Sequence, residues 1–120
     1  MKKYVLGEME QKFANIIWRE SPISSGDLVK ICKVELTWKK STTYTMLKRL
    51  CQRNIFENTN GTVKTLISKD QFLAEKGEEF INSNFSGSLP KFITAFTKNK
   101  KLSSDEINDI KLLIESYQED

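Results

Sequence analysis

A chain of 120 residues, 38% apolar and with two prolines, has the size of one ordinary domain or of a small domain with an appendage, and the make-up of a helix-rich globular fold. No apolar run approaches the ~18 residues that span a bilayer, so no membrane association is expected. The absence of histidine removes the usual metal ligand, the usual proton shuttle and every imidazole triad.

Leu6-Gly7-Glu8-Met9-Glu10 opens a first helix, its acids in the turn where the helix dipole favours them. Met9, Phe13, Ile16 and Ile17 follow at helical spacing and form one apolar stripe ending at Trp18. Ser21-Pro22 stops the helix, because proline cannot continue it and turns the preceding residue to extended geometry. Ile23 then adds a short strand. Ser24-Ser25-Gly26-Asp27 offers N-caps for a second, short helix carrying Leu28, Ile31 and Cys32, closed before Thr37-Trp38.

The third helix is expected from near Lys39 to about Asn54. Thr43, Met46, Leu47 and Leu50 share one face; Ser41, Thr42, Thr45, Lys48, Arg49 and Gln52 occupy the other. The net charge of +3 is distributed unevenly around it. Residues 1–67 carry twelve Lys/Arg against six Asp/Glu, and residues 68–120 carry seven against ten. Between Leu36 and Phe56 stand Lys39, Lys40, Lys48, Arg49 and Arg53 with no acid among them. Such a cationic half invites a polyanion as partner.

After Asn54 the period changes to two. Ile55-Phe56-Glu57-Asn58-Thr59 and Thr62-Val63-Lys64-Thr65-Leu66-Ile67 read as strands around Asn60-Gly61, a pair that supplies the positive φ angles of a type I′ turn. Three helices, the third basic, followed by a hairpin make a winged helix-turn-helix, in which the third helix enters the major groove and the hairpin touches flanking backbone. The remainder is helical again. Asp70 to about Asn84 carries Phe72, Leu73, Phe80 and Ile81; Gly87 and Pro90 mark a break; Leu89, Phe92, Ile93 and Phe96 form a second stripe. Ser103 with Glu106 is a capping box opening a last helix, whose Ile107, Ile110, Leu113, Ile114 and Tyr117 recur at three- and four-residue steps. About fifty residues of short helices bury little alone, and a second copy of the chain is the simplest cover for them. The expected fold is therefore mainly α with a small β-hairpin: a winged-helix DNA-binding domain over residues 1–67 and a helical dimerisation region over residues 68–120.

Ile16-Ile17-Trp18 closing an early helix, Trp38 ahead of the third helix, and the string Lys40-Ser41-Thr42-Thr43-Tyr44-Thr45-Met46-Leu47-Lys48-Arg49-Leu50 resemble the penicillinase-repressor family of bacterial winged-helix regulators (the BlaI/MecI/CopY type). Phe85-Ser86-Gly87-Ser88-Leu89 and Leu102-Ser103-Ser104-Asp105-Glu106-Ile107 are similar to the family's dimerisation region. The resemblance implies a homodimeric repressor on double-stranded DNA bearing a palindromic operator, of the kind that controls resistance genes. It implies base-reading positions at Ser41, Thr42, Tyr44 and Thr45, with Lys48, Arg49 and the wing's Lys64 on phosphates. Dimer contacts would come from Phe80, Leu89, Phe92, Ile93, Phe96, Ile107, Ile110, Leu113 and Ile114.

Family members are inactivated by proteolysis or by metal, and two departures bear on this. The asparagine–phenylalanine bond cut in the proteolysed members is matched here by Ala95-Phe96, which leaves a regulatory protease open as a partner. The C-terminal cysteine cluster of the copper-responsive members has no counterpart after Cys51, so no metal or other cofactor is expected. Cys32 and Cys51 lie on or beside apolar stripes, as packing residues do, and two cysteines in a chain of this size point to the cytoplasm. Trp18 and Trp38 sit at helix ends beside the same stripes and are expected in the core. Ser24, Ser25 and Ser41 have no histidine to activate them and no glycine elbow around them, so no enzyme is expected. A winged helix can also serve as a protein–protein adaptor without specific DNA contact, and this stands as the alternative reading.

Overall fold

A computed structural model describes residues 5–117. Its elements run in the order α1 (Glu8–Glu20), β1 (Ile23–Ser24), α2 (Ser25–Glu35), α3 (Lys40–Gln52), β2 (Phe56–Thr59), β3 (Thr62–Thr65), α4 (Lys69–Asn84), α5 (Leu89–Asn99) and α6 (Ser104–Ser116). The strands form one antiparallel sheet in the order β1-β3-β2, with Ile23 opposite Val63 and Phe56 opposite Thr65. This is a winged helix followed by further helices, mainly α with a small sheet, as the sequence pattern implied.

Every helix but α3 begins where a side chain supplies a partner for a free backbone N–H. The Gly7 N–H donates to the Glu10 carboxylate at 2.9 Å, holding the first turn of α1. The Ser24 hydroxyl accepts the Asp27 N–H at 3.0 Å and caps α2. Ser103 and Glu106 satisfy one another's backbone N–H groups at 3.1 Å, which is the expected capping box of α6. The C-terminus of α3 is closed differently. Asn54 turns left-handed at φ 60°, its N–H donating to Cys51, and the next N–H, Ile55, donates back to the Leu50 carbonyl. These two bonds make a Schellman motif, with asparagine in the place that glycine often takes and Leu50 packing with Ile55 in the core.

The core of the first compact unit joins α1 (Phe13, Ala14, Ile16, Ile17), α2 (Leu28, Cys32), α3 (Leu47, Leu50), and Ile55, Phe56 and Val63 of the hairpin. Met9, expected on the α1 stripe, is exposed. Trp18 and Trp38 close the edges of this core. The Trp18 ring lies 5.4 Å from Phe56 and 5.3 Å from Phe72, and its indole N–H donates to the Ile67 carbonyl at 3.0 Å. Trp38 packs 5.2 Å from Phe13.

The end of the wing differs from the sequence reading. The second strand ends at Thr65 rather than Ile67, because the Leu66 and Ile67 N–H groups both turn to the Ile55 carbonyl and Ile67 drops into the core. The core also takes in Ile67 and Phe72, and two compact units divide between Glu79 and Phe80, within α4.

One polar group in the core is left over. Thr43 is buried, and its hydroxyl has only the weakly bonding Cys32 thiol beside it and no stronger partner among the described residues. A buried unsatisfied hydroxyl costs about 1–3 kcal/mol, and valine has nearly the same shape. Thr43→Val is therefore expected to stabilise the fold by about 1 kcal/mol, read as a rise of a few degrees in the calorimetric midpoint; a lower midpoint would show that the hydroxyl is satisfied.

Candidate nucleic-acid interface

α3 divides cleanly between two tasks. Thr43, Leu47 and Leu50 are buried against the core, whereas Ser41, Thr42, Tyr44, Thr45, Lys48, Arg49 and Gln52 are exposed. At about 100° per residue, Ser41, Thr45, Lys48 and Gln52 occupy the centre of the exposed face. Thr42 and Arg49 flank it on one side, where the Arg49 guanidinium lies 3.6 Å from the Met46 sulfur. Tyr44 flanks it on the other, and its hydroxyl donates to Ser25 Oγ at 3.1 Å. Gln52 was not among the expected site residues, although its spacing from Thr45 and Lys48 places it on the same face.

The first turn of α3 contains no acid, and its N-cap, Lys39, makes no side-chain cap. Lys33, Lys39 and Lys40 line a cleft of about 570 Å³ beside Val29, Thr37 and Trp38 at the α2–α3 turn. Lys33 extends the cationic surface back onto α2, beyond the run visible around the third helix. A second cleft, of about 370 Å³, lies between α3 and β2 and is lined by Tyr44, Leu47, Lys48, Cys51 and Asn58.

The wing is set by its turn. Asn60 and Gly61 take φ of 53° and 77°, the pair of positive angles a type I′ hairpin needs. Lys64 is exposed on β3, in register opposite Glu57, whose carboxylate accepts the Thr59 hydroxyl at 2.8 Å. A helix face rich in short hydroxyls can approach base edges closely, and lysines at its end and on the wing suit phosphate oxygens.

Arg53 does other work, although it belongs to the same acid-free run. Its guanidinium donates to the Val5 carbonyl at 2.6 Å and pairs with Glu10 at 3.8 Å, side chains that are 13% and 22% exposed. It ties the end of α3 to the start of α1. The cysteines are likewise packing groups. Burial pushes the Cys32 thiol up to about 11 and raises Cys51 as well, which keeps both protonated and unreactive near neutral pH. Among the described residues no group of three or more His, Cys, Asp or Glu could hold a metal ion, and no helix is long and apolar enough to cross a membrane.

In the second unit, α5 and α6 contain no buried residue. Leu89, Ile93, Phe96, Ile107, Ile110, Leu113 and Ile114 are all exposed, the last two by 69% and 68%. Phe92 is half-buried between Phe85 and Phe96, at ring distances of 5.4 and 5.9 Å, and Phe80 reaches it edge-on at 6.1 Å. An open apolar cavity of about 410 Å³ separates the two stripes, bounded by Phe92, Ile93 and Phe96 on one side and Ile107, Ile110 and Ile114 on the other. Ala95-Phe96 lies inside α5, Asn84-Phe85 at the end of α4.

A recognition-type helix with a hydroxyl and lysine face, braced by a hairpin wing and followed by uncovered apolar helices, defines a winged helix-turn-helix regulator. The sequence pattern of the penicillinase repressor family matches residues 6–116, and the chain belongs to that family, whose members are transcriptional repressors and not enzymes. It is similar to the penicillinase repressor of Bacillus licheniformis, with 26% identity over 94% of this chain and 91% of that protein. It is also similar to the methicillin resistance regulatory proteins MecI of Staphylococcus aureus (strain Mu50 / ATCC 700699) and Mammaliicoccus sciuri. These are 21% and 20% identical, each over 94% of this chain and 95% of the relative.

Separating Arg53 from the interface has a measurable consequence. Arg53→Ala should lower the unfolding free energy by about 1.5–3 kcal/mol, the range for losing a hydrogen bond to a charged group, seen as a reduced urea midpoint with an unchanged m-value. A variant as stable as the parent would return Arg53 to the cationic surface.

Proposed function

We propose that this repressor is a homodimer that binds a palindromic operator sequence-specifically and blocks transcription by occupying it. The observation that carries the reading is the exposed face of α3, where Ser41, Thr42, Thr45, Lys48, Arg49 and Gln52 stand together without a single acid. Serine and threonine hydroxyls serve either base edge or phosphate, and a threonine methyl packs on the thymine methyl. Lys48, Arg49 and Lys64 supply the sequence-independent, salt-dependent part of affinity. Tyr44 is the fourth base-reading position. The relatives' names tie them to penicillinase and to methicillin resistance, and a resistance gene is the proposed target here. The cytoplasm is the compartment in which such an operator is met.

The argument for two copies is one of burial. Phe80–Asp120 forms a separate unit of 41 residues, at about the 40-residue size under which a chain usually needs outside help to stay folded. Its α5 and α6 stripes leave large aliphatic side chains in water, and covering them releases about 25 cal/mol for each Å² of apolar surface. A two-fold axis lets the same stripes cover each other. It would also set two recognition helices against half-sites one or two turns of DNA apart, about 34 Å per turn. A protease as inactivating partner is supported only by kinship, since the family's scissile asparagine is Ala95 in this chain.

Selection from random duplexes with the purified chain, followed by footprinting, tests the whole reading; a selected motif with two inverted half-sites is expected. Thr42→Ala should relax preference at one position of each half-site, at a cost of about 1–3 kcal/mol per base. Lys48→Ala should weaken binding to every duplex and reduce the slope of log affinity on log salt by about one. Weak binding that vanishes by physiological salt, with no motif selected, would favour an adaptor instead.

The dimer is tested separately. Ile110→Asp places a charge in the apolar cavity and should shift the sedimentation coefficient from dimer to monomer, with operator affinity falling at least a hundredfold. An unchanged sedimentation coefficient would move the interface elsewhere.

A further inference from the structure

Ser25 sits where three pieces of the proposed reading head meet. It is the first residue of α2. Its backbone N–H donates to the Gly61 carbonyl of the wing turn at 2.8 Å, and its side-chain oxygen accepts the Tyr44 hydroxyl of α3 at 3.1 Å. The wing turn is also close to the serine side chain, since a Cβ placed on Gly61 would lie 3.9 Å from Ser25 Oγ. The neighbouring Ser24 pairs with Thr62 of β3, so the sheet holds this end of α2 from the other side. No sequence signal singled Ser25 out for this task, because Tyr44 is nineteen residues away and Gly61 is thirty-six.

We propose that Ser25 is a positioning residue that fixes the Tyr44 phenol beside the wing as an acceptor-only reader, selecting a base edge that carries an exocyclic amino group. The inference rests on α3 reading DNA and deepens that reading. A phenol has one proton and two acceptor lone pairs. Between a phenol and an aliphatic alcohol the phenol is the stronger acid and the preferred donor, which assigns the proton of this 3.1 Å contact to Tyr44. Its proton is spent on Ser25, so what remains for a ligand is acceptor capacity. In the major groove the donors that fit an acceptor are adenine N6 and cytosine N4, whereas guanine O6 and N7 and thymine O4 are themselves acceptors. Tyr44 is exposed, which leaves that lone-pair face accessible. Ser25 thus converts a side chain that could donate or accept into one that only accepts. It also anchors the ring at the point to which the wing turn is bonded.

The test uses the full chain and three variants, with selection from random duplexes and anisotropy titrations on the wild-type motif at several salt concentrations. Wild type should select adenine or cytosine at one position per half-site. Tyr44→Phe should lose that preference, and Ser25→Ala should lose it at the same position, each with a specific affinity about tenfold lower. The double variant should be no weaker than Tyr44→Phe alone, the sign of two groups acting as one. Ser25→Thr, which keeps the hydroxyl, should restore selection. The salt slope should stay that of wild type throughout, and thermal midpoints should hold within a few degrees, because the backbone bond to Gly61 survives. Ser25→Ala selecting the wild-type motif, or weakening all duplexes equally, would overturn the proposal while leaving the reading of α3 in place. A wild-type chain that selects no motif would overturn both.

Discussion

The fold of the first unit turns on the joint at Asn54 and Ile55. One residue in left-handed geometry ends α3, and the next serves both sides of the reversal. The Ile55 N–H closes the helix onto Leu50, and its carbonyl receives Leu66 and Ile67 as the hairpin returns. The Ile55 side chain is fully buried beside Leu50 and Phe56. Because the same residue terminates the helix and anchors the far end of the wing, α3 and the hairpin cannot rotate independently without breaking backbone bonds and core contact together. At the other end of the hairpin the Gly61 carbonyl is bonded to the start of α2. The helix and the wing are therefore presented as one rigid surface, which a groove-and-backbone contact to a stiff duplex requires.

This rigidity clarifies how the basic residues are shared out. The acid-free run between Leu36 and Phe56 looks uniform in sequence, yet its members have separate tasks. Arg53 is drawn inward to Val5 and Glu10, where an arginine fork can hold both a carbonyl and a carboxylate. Lys48 remains on the exposed face, and Lys39 and Lys40 stand with Lys33 around the α2–α3 turn. Arg19, outside the run, is held by Glu35 at 2.6 Å and Glu20 at 2.7 Å on the surface of α1 and α2, and the bond to Arg19 keeps the Glu35 carboxyl below its ordinary range. Arg19 and Arg53, paired with acids on other helices, brace the fold, whereas Lys39, Lys40 and Lys48 are exposed and make no ion pair among the described residues.

What could be read from the sequence was local, and what could not was long-range. Asn60-Gly61 announces its turn because positive φ at two successive residues admits few other pairs, and Ser103 with Glu106 announces a helix start because each needs only the other. The stripe of Thr43, Leu47 and Leu50 follows from helical period alone. Arg53 could not be told from Lys48 by spacing, since its partners lie forty-three and forty-eight residues back along the chain. The burial of Ile67 and Phe72 around Trp18 is set by long-range packing, to which a count of charges along the chain is blind. Among the expected site residues, Tyr44 was legible as exposed on α3, while its bond to Ser25 depended on how α2 crosses α3.

The second unit poses the opposite problem to the first. Its helices are well begun and well ended, with a capping hydroxyl at Ser88 and a capping box at Ser103, yet no side chain of α5 or α6 is buried. Good capping contributes about 1 kcal/mol per helix, far less than the ordering entropy of the residues it caps. Folding of this unit is therefore most strongly supported by whatever covers its apolar stripes. If the cover is a second copy, assembly and folding of the unit become one equilibrium, and its stability rises with protomer concentration. Under the proposed reading a single α3 would offer few base contacts, and joining two heads would make the second contact intramolecular at an effective concentration in the millimolar range. Under the proposed dimer, specific repression depends on the least self-sufficient part of the chain, and a change that uncovers the α5 and α6 stripes would release the operator without touching the residues that read it.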